Sequence, residues 1–332
     1  MKRTALVLGL AGLAVATTLV VRAGLGTVVA ALATAGLGLV WASLVHVVPM
    51  ALNARAWQLL AGRRRGRTLA FFTFVVWVRE AVNGLLPVAR VGGEVASARL
   101  LVRRGVPGPQ AGASIVADMT VSLVTQLVFT LGGIAVLAAR APGGPLVRTA
   151  WISAAAAVPI VVVLVIVQRA GAAEILARVA RALAGRWMPE ALVGGARRLD
   201  RATAAVYRSR GRILRCAAWQ LAGWAAGAAE IWTFLAFAGS PVRFTDALAL
   251  ESIVQALSSA AFVVPGALGV QEGAFVAVGG ALGLGAETAL AAALARRARD
   301  LIVFVPALVV WQWQEARAVL ARRAIGEGDA LP

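Results

Sequence analysis

The chain has 332 residues, a net charge of +18, 60% hydrophobic residues and a mean hydropathy of +0.82. Only 14% of its residues are charged, against about 25% in an ordinary globular domain. This composition excludes a soluble enzyme, a disordered chain and a secreted disulfide framework. With a single cysteine, Cys216, and a single histidine, His46, neither a disulfide nor a multi-thiolate or His-rich metal site is expected. We therefore predict a membrane protein without a metal or other cofactor.

The apolar runs predict an all-α, polytopic membrane protein in which residues 1–332 form one integral membrane domain. Six runs have the length and composition of transmembrane helices, at about 4–21, 26–52, 111–138, 150–167, 216–238 and 287–313. The first follows Lys2 and Arg3 and resembles a signal peptide. We reject that interpretation because the run is long enough to span and further spans follow.

Arginine placement predicts which ends of the spans face the cytoplasm. Residues 169–215 contain eleven arginines against three acidic residues, whereas the opposite links contain few. By the positive-inside rule this segment and both chain termini are cytoplasmic. Within it, residues 172–183 carry an apolar stripe with arginines off it. This pattern predicts an amphipathic helix lying on an anionic leaflet rather than a nucleic-acid site.

Residues 69–104 are apolar, but they have arginines at both ends and are interrupted by Asn83, Gly84 and Pro87. Each arm has about 15 residues and would be roughly 22 Å long as a helix, short of the roughly 30 Å hydrocarbon core. A re-entrant hairpin that enters and leaves through the cytoplasmic face fits both observations, provided that protein or a water-filled cavity surrounds it. One ordinary span followed by a periplasmic loop is the alternative.

The segment 244–313 resembles a second copy of 69–138. Three distinctive residues recur at offsets of 178, 178 and 182: Pro87 with Pro265, Glu94 with Glu272, and Asp118 with Asp300. Broken apolar segments at matching positions of two halves indicate a transporter site. The halves would be about 1–140 and 149–315, and they would be inverted because the second copy starts from outside. Chance similarity between low-complexity apolar sequences is the alternative.

Charged residues inside apolar spans are costly and usually face a cavity or a partner. We predict a polar cavity between the two hairpins that binds a lipid head group through Arg90, Glu94, Glu272, Arg296, Arg299 and Asp300. The arginines would hold a phosphate through paired hydrogen bonds, and the carboxylates would offset charge or carry protons. Secondary contributions are expected from Arg79, Glu80, Pro87, Asp118 and Pro265. A buried ion network that only pins the halves together is the structural alternative.

Arg296, Arg299 and Asp300 share one face of the last predicted span. They would lie near mid-membrane and would need internal partners. We expect these partners at the hairpins, where the candidates are Arg90, Glu94 and Glu272. His46, within the second predicted span, is expected to be a hydrogen-bonded packing residue.

Two motifs resemble those of the lysylphosphatidylglycerol synthetase/flippase-like integral membrane family. They are Val264-Pro265-Gly266 through Gln271-Glu272-Gly273, and Arg296-Arg297-Ala298-Arg299-Asp300; Leu85-Leu86-Pro87 through Gly92-Gly93-Glu94 fits the same family. The resemblance covers nearly the whole chain and is closest to the hopanoid-biosynthesis-associated branch. It implies a lipid translocase in the bacterial inner membrane. Two-domain members add a soluble aminoacyl-transfer domain, and because this sequence ends soon after its last span, aminoacyl-lipid synthesis is not expected.

Three functions follow from these observations. The leading hypothesis is a flippase-like translocase, without catalytic residues, for an amphiphilic lipid such as a hopanoid, a glycolipid or a phospholipid. The second is a non-transporting scaffold that organises lipid-biosynthesis enzymes at the membrane. The third, a membrane-embedded enzyme with paired carboxylates, is disfavoured by the single histidine and the single cysteine.

Overall fold

The computed structural model describes residues 33, 36–62, 67–86, 91–184, 190–262 and 264–328. All regular structure in this part of the chain is helical. The helices are α1 (Gly36–Val45), α2 (Val47–Ala61), α3 (Leu69–Leu85), α4 (Gly92–Arg103), α5 (Gly108–Arg140), α6 (Pro145–Arg169), α7 (Ala172–Ala184), α8 (Glu190–Tyr207), α9 (Arg210–Phe237), α10 (Phe244–Ala260), α11 (Val270–Ala281) and α12 (Ala286–Gly328), with a 3-10 turn at Pro265–Ala267.

Three segments of the described chain are long and apolar enough to cross a membrane: Gly36–Ala61, Gly108–Arg140 and Pro145–Arg169. The first combines α1 and α2, which are separated only by a turn at His46. The second and third of these segments coincide with the third and fourth predicted spans, and the first overlaps the second predicted span, 26–52, but continues to Ala61. Helices α9 and α12 cover the fifth and sixth but are less apolar, and the first predicted span lies outside the described residues. The protein is thus a multi-pass membrane protein, and the number six stays a prediction.

Helix α6 presents most of its apolar side chains outward. Only 6% of its most apolar window is buried within the protein, and Ile152, Ile160 and Val163 are more than half exposed. Exposed apolar surfaces of this extent are typical of membrane contact. Lipid is therefore the environment in which α6 is stable.

The start of α3 lies beside the end of α4. The Arg67 guanidinium, just before α3, donates a hydrogen bond of 3.0 Å to the carbonyl oxygen of Gly105, just after α4. The Arg104 guanidinium lies 4.9 Å from the ring centre of Phe71, in the first turn of α3. The start of α3 and the end of α4 therefore lie at the same level, as the hairpin prediction requires.

The second broken segment has the same helix lengths as the first. Helices α3 and α10 have 17 residues each, and α4 and α11 have 12 each. Glu94 and Glu272 are both the third residue of their 12-residue helix. At 1.5 Å per residue, the longer helices measure about 26 Å, short of the roughly 30 Å hydrocarbon core.

The long helix after each hairpin begins against its own hairpin and ends against the other one. One apolar cluster holds α3 and α4 with Ile115 near the start of α5 and with Phe304 farther along α12. The other cluster holds α10 and α11 with Ala292 near the start of α12 and with Leu137 at the end of α5. Each of the long helices α5 and α12 therefore packs against both pairs of shorter helices.

Gly133 allows α5 and α10 to approach closely. A Cβ atom on Gly133 would overlap the Ser252 side chain and lie 3.3 Å from the Cα of Ala249, whereas a Cβ on neighbouring Gly132 would meet nothing within 4 Å. Helices can come this near only where a side chain is missing. The contact therefore fixes the seam between the two halves.

We expect Gly133→Ala to destabilise the protein by about 1–3 kcal/mol because it overpacks this seam. Gly132→Ala makes the same chemical change one residue away and should leave the melting temperature unchanged or raise it, because alanine favours the helix. Melting temperatures in detergent, read by fluorescence-detected size exclusion, check both. Adding Ser252→Gly to Gly133→Ala should recover part of the loss. Equal melting temperatures for Gly132→Ala and Gly133→Ala would contradict the packing.

Candidate functional site

Arg299 of α12 lies at the centre of a buried ion network. Its Nε and Nη2 atoms are 2.8 and 2.7 Å from Oε1 of Glu230, and its Nη1 is 2.7 Å from Oδ1 of Asp300. Both Arg299 and Glu230 are buried, at 5% and 4% exposure. Burying either charge alone would be costly, so the pair holds α12 and α9 in one register.

His46 completes this network at the junction of α1 and α2. Its Nδ1 is 2.8 Å from Oε2 of Glu230, and its Nε2 is 3.2 Å from Nη1 of Arg299. This geometry fits the neutral tautomer in which Nδ1–H donates to Glu230 and Nε2 accepts from Arg299. Oε2 of Glu80, from α3, lies 3.6 Å from His46 Nε2. The imidazole thus joins the α1–α2 junction to α9 and α12 by hydrogen bonds, in agreement with the packing role expected from the sequence.

The arginines preceding Arg299 pair with the second hairpin. Arg296 donates to Glu251 of α10 and lies 5.3 Å from the ring centre of Phe275. Arg297 Nε donates to Oε1 of Glu272 at 2.9 Å, and Oε2 of Glu272 accepts the Gly269 N–H at 2.7 Å. Glu272, at 1% exposure, therefore holds α12 and closes the first turn of α11 at the same time.

These pairings correct one sequence prediction. Glu272 was expected to pair with Arg296 or Arg299, but it pairs with Arg297, and the other two arginines take Glu251 and Glu230. The physical reason is that neighbouring side chains of α12 project in different directions around the helix axis. Consecutive residues of a helix point about 100° apart, so three arginines within one turn reach three different neighbouring helices.

The first hairpin has its own charged group, centred on Arg79. Its Nη1 donates to Oδ2 of Asp118 at 2.7 Å and lies 4.0 Å from Oε2 of Glu94. Asp118 also accepts a hydrogen bond of 2.9 Å from Nε2 of Gln220 in α9. Glu94 Oε1 is 3.4 Å from Nδ2 of Asn83. The glutamates of the two hairpins thus differ: Glu272 has a close guanidinium, and Glu94 has a distant one.

The inner ends of the two hairpins meet. A Cβ atom on Gly266 would lie 3.8 Å from the Gly84 carbonyl oxygen at the end of α3 and 3.4 Å from Nη1 of Arg297. Gly84 follows Asn83, which contacts Glu94, and Arg297 is bonded to Glu272. The structure therefore brings both motif glutamates to one region between the hairpins. Gly266 has φ +61°, a backbone conformation that glycine adopts without strain.

Several buried polar atoms around the hairpins have no hydrogen-bond partner within the described residues. They include Glu94 Oε2, Ser97 Oγ, Gln271 Nε2, Arg296 Nε and Arg297 Nη2; the other such atoms of the described chain are on Asp246, Ser258, Trp311 and Glu315. Nearly all buried polar atoms in proteins are hydrogen-bonded to protein or water, and an exception calls for an explanation. The first five of these atoms lie on α4, α11 and α12, so both hairpins contribute donors and acceptors that a water molecule or a polar ligand can satisfy.

Most of the predicted site residues lie in these groups. Arg79, Glu94 and Asp118 form the group at the first hairpin. Glu272 pairs with Arg297, and Arg296 pairs with Glu251. Arg299 and Glu80 lie next to His46, and Asp300 pairs with Arg299. Pro87, Arg90 and the side chain of Pro265 are outside the described residues. Glu230, Glu251 and Arg297 were not predicted as site residues. Their only signal was charge within an apolar segment, which does not identify a partner on another helix.

These features define the class of protein: a multi-pass helical membrane protein with charged side chains buried among its apolar helices. Residues 6–307 match the family described as the lysylphosphatidylglycerol synthase transmembrane region, and the chain belongs to that family. Membership indicates a membrane protein of lipid metabolism or translocation. The hopanoid-associated branch stays a prediction. No curated protein and no solved structure gives a significant match.

We expect Arg299→Gln to destabilise the protein by about 3–5 kcal/mol, because it leaves the buried Glu230 carboxylate without its guanidinium. Arg99→Gln removes the same charge from a pair with Glu315 in which Arg99 is 56% exposed, and should cost at most about 1 kcal/mol. Melting temperatures in detergent check the difference. The double variant Glu230→Gln with Arg299→Gln should recover part of the loss. An Arg299→Gln protein as stable as Arg99→Gln would exclude a pinning role for this pair.

Proposed function

We propose that the protein is a flippase-like translocase, and not an enzyme, which moves a polar-headed lipid across the bacterial inner membrane. The observation that carries the proposal is the set of unpaired buried polar atoms on α4, α11 and α12. They lie beside charged pairs in a member of a lipid-related membrane family. A translocase needs such atoms, because a head group must exchange its water for protein contacts while it crosses. Hopanoids, glycolipids and phospholipids are the candidate substrates.

The proposed topology has two re-entrant hairpins that enter from opposite faces. Equal helix lengths, the equivalent positions of Glu94 and Glu272, and the reciprocal packing of α5 and α12 support an inverted repeat. In this arrangement six helices span, both termini are cytoplasmic, and the hairpins meet near the midplane at Gly84 and Gly266. Transporters of inverted-repeat architecture place their sites at the same location.

Exchange of partners at Arg297 supplies a mechanism. Its guanidinium is held by Glu272 through Nε, and its Nη2 is buried without a hydrogen bond within the described chain. A phosphate or another anionic group could accept a hydrogen bond from Nη2 and then displace the Glu272 carboxylate from Nε, because a planar guanidinium can donate two parallel hydrogen bonds. Arg296 and Arg90 would add positive charge, and the lipid tail would stay in the bilayer. The internal carboxylate therefore keeps the arginine neutralised whenever no head group is bound.

Glu272→Gln tests this mechanism with little change in shape. The amide oxygen can still accept the Gly269 N–H, but the charge that competes with the head group is gone. We expect the rate of fluorescent-lipid scrambling in proteoliposomes, followed by dithionite bleaching, to change by about tenfold or more, since one charge-assisted contact is lost. Arg297→Gln should reduce the same rate by a similar factor. The control is Glu287→Gln, at an exposed position in the first turn of α12, which should behave as wild type.

Wild-type rates in Glu272→Gln and Arg297→Gln, at equal reconstitution, would rule out this mechanism. A wild-type protein that scrambles no lipid would instead favour the second candidate, a non-transporting scaffold for lipid-biosynthesis enzymes. One observation favours that candidate: Arg79, Arg296 and Arg299 already have buried carboxylate partners, as a purely structural network would. The scaffold predicts that charge-neutral variants at the hairpins are functional.

A further inference from the structure

A second charged region lies in the basic segment between α6 and α9. Here the ends of α6 and α8 and the starts of α7 and α9 surround a cleft of about 680 Å³. Five arginines line it: Arg169, Arg197, Arg201, Arg208 and Arg210. Its carboxylates are those of Glu174 and Asp200. None of these residues belongs to the groups around the hairpins, so the cleft is a separate feature.

The two carboxylates are already engaged by the protein. Asp200 accepts hydrogen bonds from the backbone N–H groups of Ala173 and Glu174, at 3.2 and 2.7 Å, and so caps the start of α7. The side chain of Glu174 pairs with Nε of Arg197 at 2.8 Å. Neither acid is therefore available to neutralise the other arginines of the cleft.

Four arginines of the cleft have no carboxylate partner within the described residues. The Arg169 guanidinium lies 5.4 Å from the ring centre of Tyr207. Arg201 donates only a long hydrogen bond, 3.4 Å, to the carbonyl oxygen of Arg197. Arg208 and Arg210 are exposed and line the same cleft. Guanidinium groups that line one cleft without carboxylate partners can donate hydrogen bonds to phosphate oxygens.

The position of the cleft along α6 identifies the source of the phosphate. Arg148 and Arg169 are the charged residues nearest the two ends of this span, 21 residues apart, which is about 31 Å along a helix. That distance equals the thickness of the hydrocarbon core, so Arg169 lies at the level of the lipid head groups. A ligand at this level is in contact with lipid rather than free in the cytosol.

Helix α7 supports the same placement. Its side chains of Ile175, Leu176 and Val179 are 41%, 69% and 51% exposed, while Glu174 on the other side pairs with α8. A helix with an exposed apolar stripe and a charged opposite face lies in the interface of a membrane. The cleft beside its first turn then opens onto the head groups of the same leaflet.

We propose that this cleft binds the phosphate of an anionic phospholipid head group in the leaflet on which α7 lies. Arg169, Arg201 and Arg208 supply the donors. Because Asp200 already accepts the N–H groups at the N-terminus of α7, side chains and not backbone groups bind the ligand. The bound lipid fixes α7 and α8 against the membrane surface. This site is distinct from the hairpin region and holds whether or not the protein translocates lipid.

The test is native mass spectrometry of the full chain, released from a neutral detergent and titrated with phosphatidic acid or phosphatidylcholine. Wild type should retain phosphatidic acid in preference to phosphatidylcholine. The double variant Arg201→Gln with Arg208→Gln should retain phosphatidic acid about tenfold more weakly, as expected for two lost charge-assisted contacts. Both side chains are exposed, and a wild-type melting temperature will confirm that the variant is folded.

The matched control is Arg148→Gln with Arg243→Gln, which removes the same charge from exposed positions outside the cleft. It should retain phosphatidic acid as wild type does. Equal losses in the two double variants would show that net charge alone is responsible, and would overturn the proposal. So would equal retention of the two lipids by wild type, or displacement of phosphatidic acid by inorganic phosphate, which would identify a site for a soluble ligand.

Discussion

Three arginines within one turn of α12 must each be neutralised inside an apolar helix bundle. Arg296, Arg297 and Arg299 do this by reaching α10, α11 and α9 respectively. A charged group in a lipid-surrounded protein is tolerated only with a partner or a wet cavity. The rotation of α12, the position of the second hairpin and the register of α9 are therefore fixed together. Moving any one of these helices would leave a charge unpaired.

The same constraint explains why the hairpins sit inside the protein. In the proposed topology the 17-residue helices α3 and α10 end within the bilayer, where lipid cannot satisfy their terminal backbone groups. Here the inner ends meet each other, Gly84 against Gly266, and the long helices α5 and α12 each cover the opposite hairpin. Because α5 and α12 each pack against both hairpins, the hairpins are held in one structure. Several buried polar atoms without a hydrogen bond within the described residues lie on α4, α11 and α12, which pack around these inner ends.

Sequence patterns located the elements better than they located the contacts. Apolar runs at 111–138 and 150–167 became α5 and α6, the stripe at 172–183 became α7, and the interruption near Pro87 separates α3 from α4. The 3.6-residue period also predicted that Arg296, Arg299 and Asp300 share one face of α12. It could not show how that face is rotated toward its neighbours, so Arg297 was missed as the partner of Glu272. Glu230 and Glu251 were missed for the same reason.

The central claim is that both hairpins turn back within the bilayer, from opposite sides. Four single cysteines on a Cys216→Ala background test it, introduced at Ala70 and Gly108, which flank the first hairpin, and at Thr245 and Gly285, which flank the second; all four positions are exposed. With a membrane-impermeant thiol reagent, the account predicts that the first two react only from the cytoplasmic face and the last two only from the opposite face. Labelling of Ala70→Cys and Gly108→Cys from different sides would show a helix that crosses the membrane and would contradict the account.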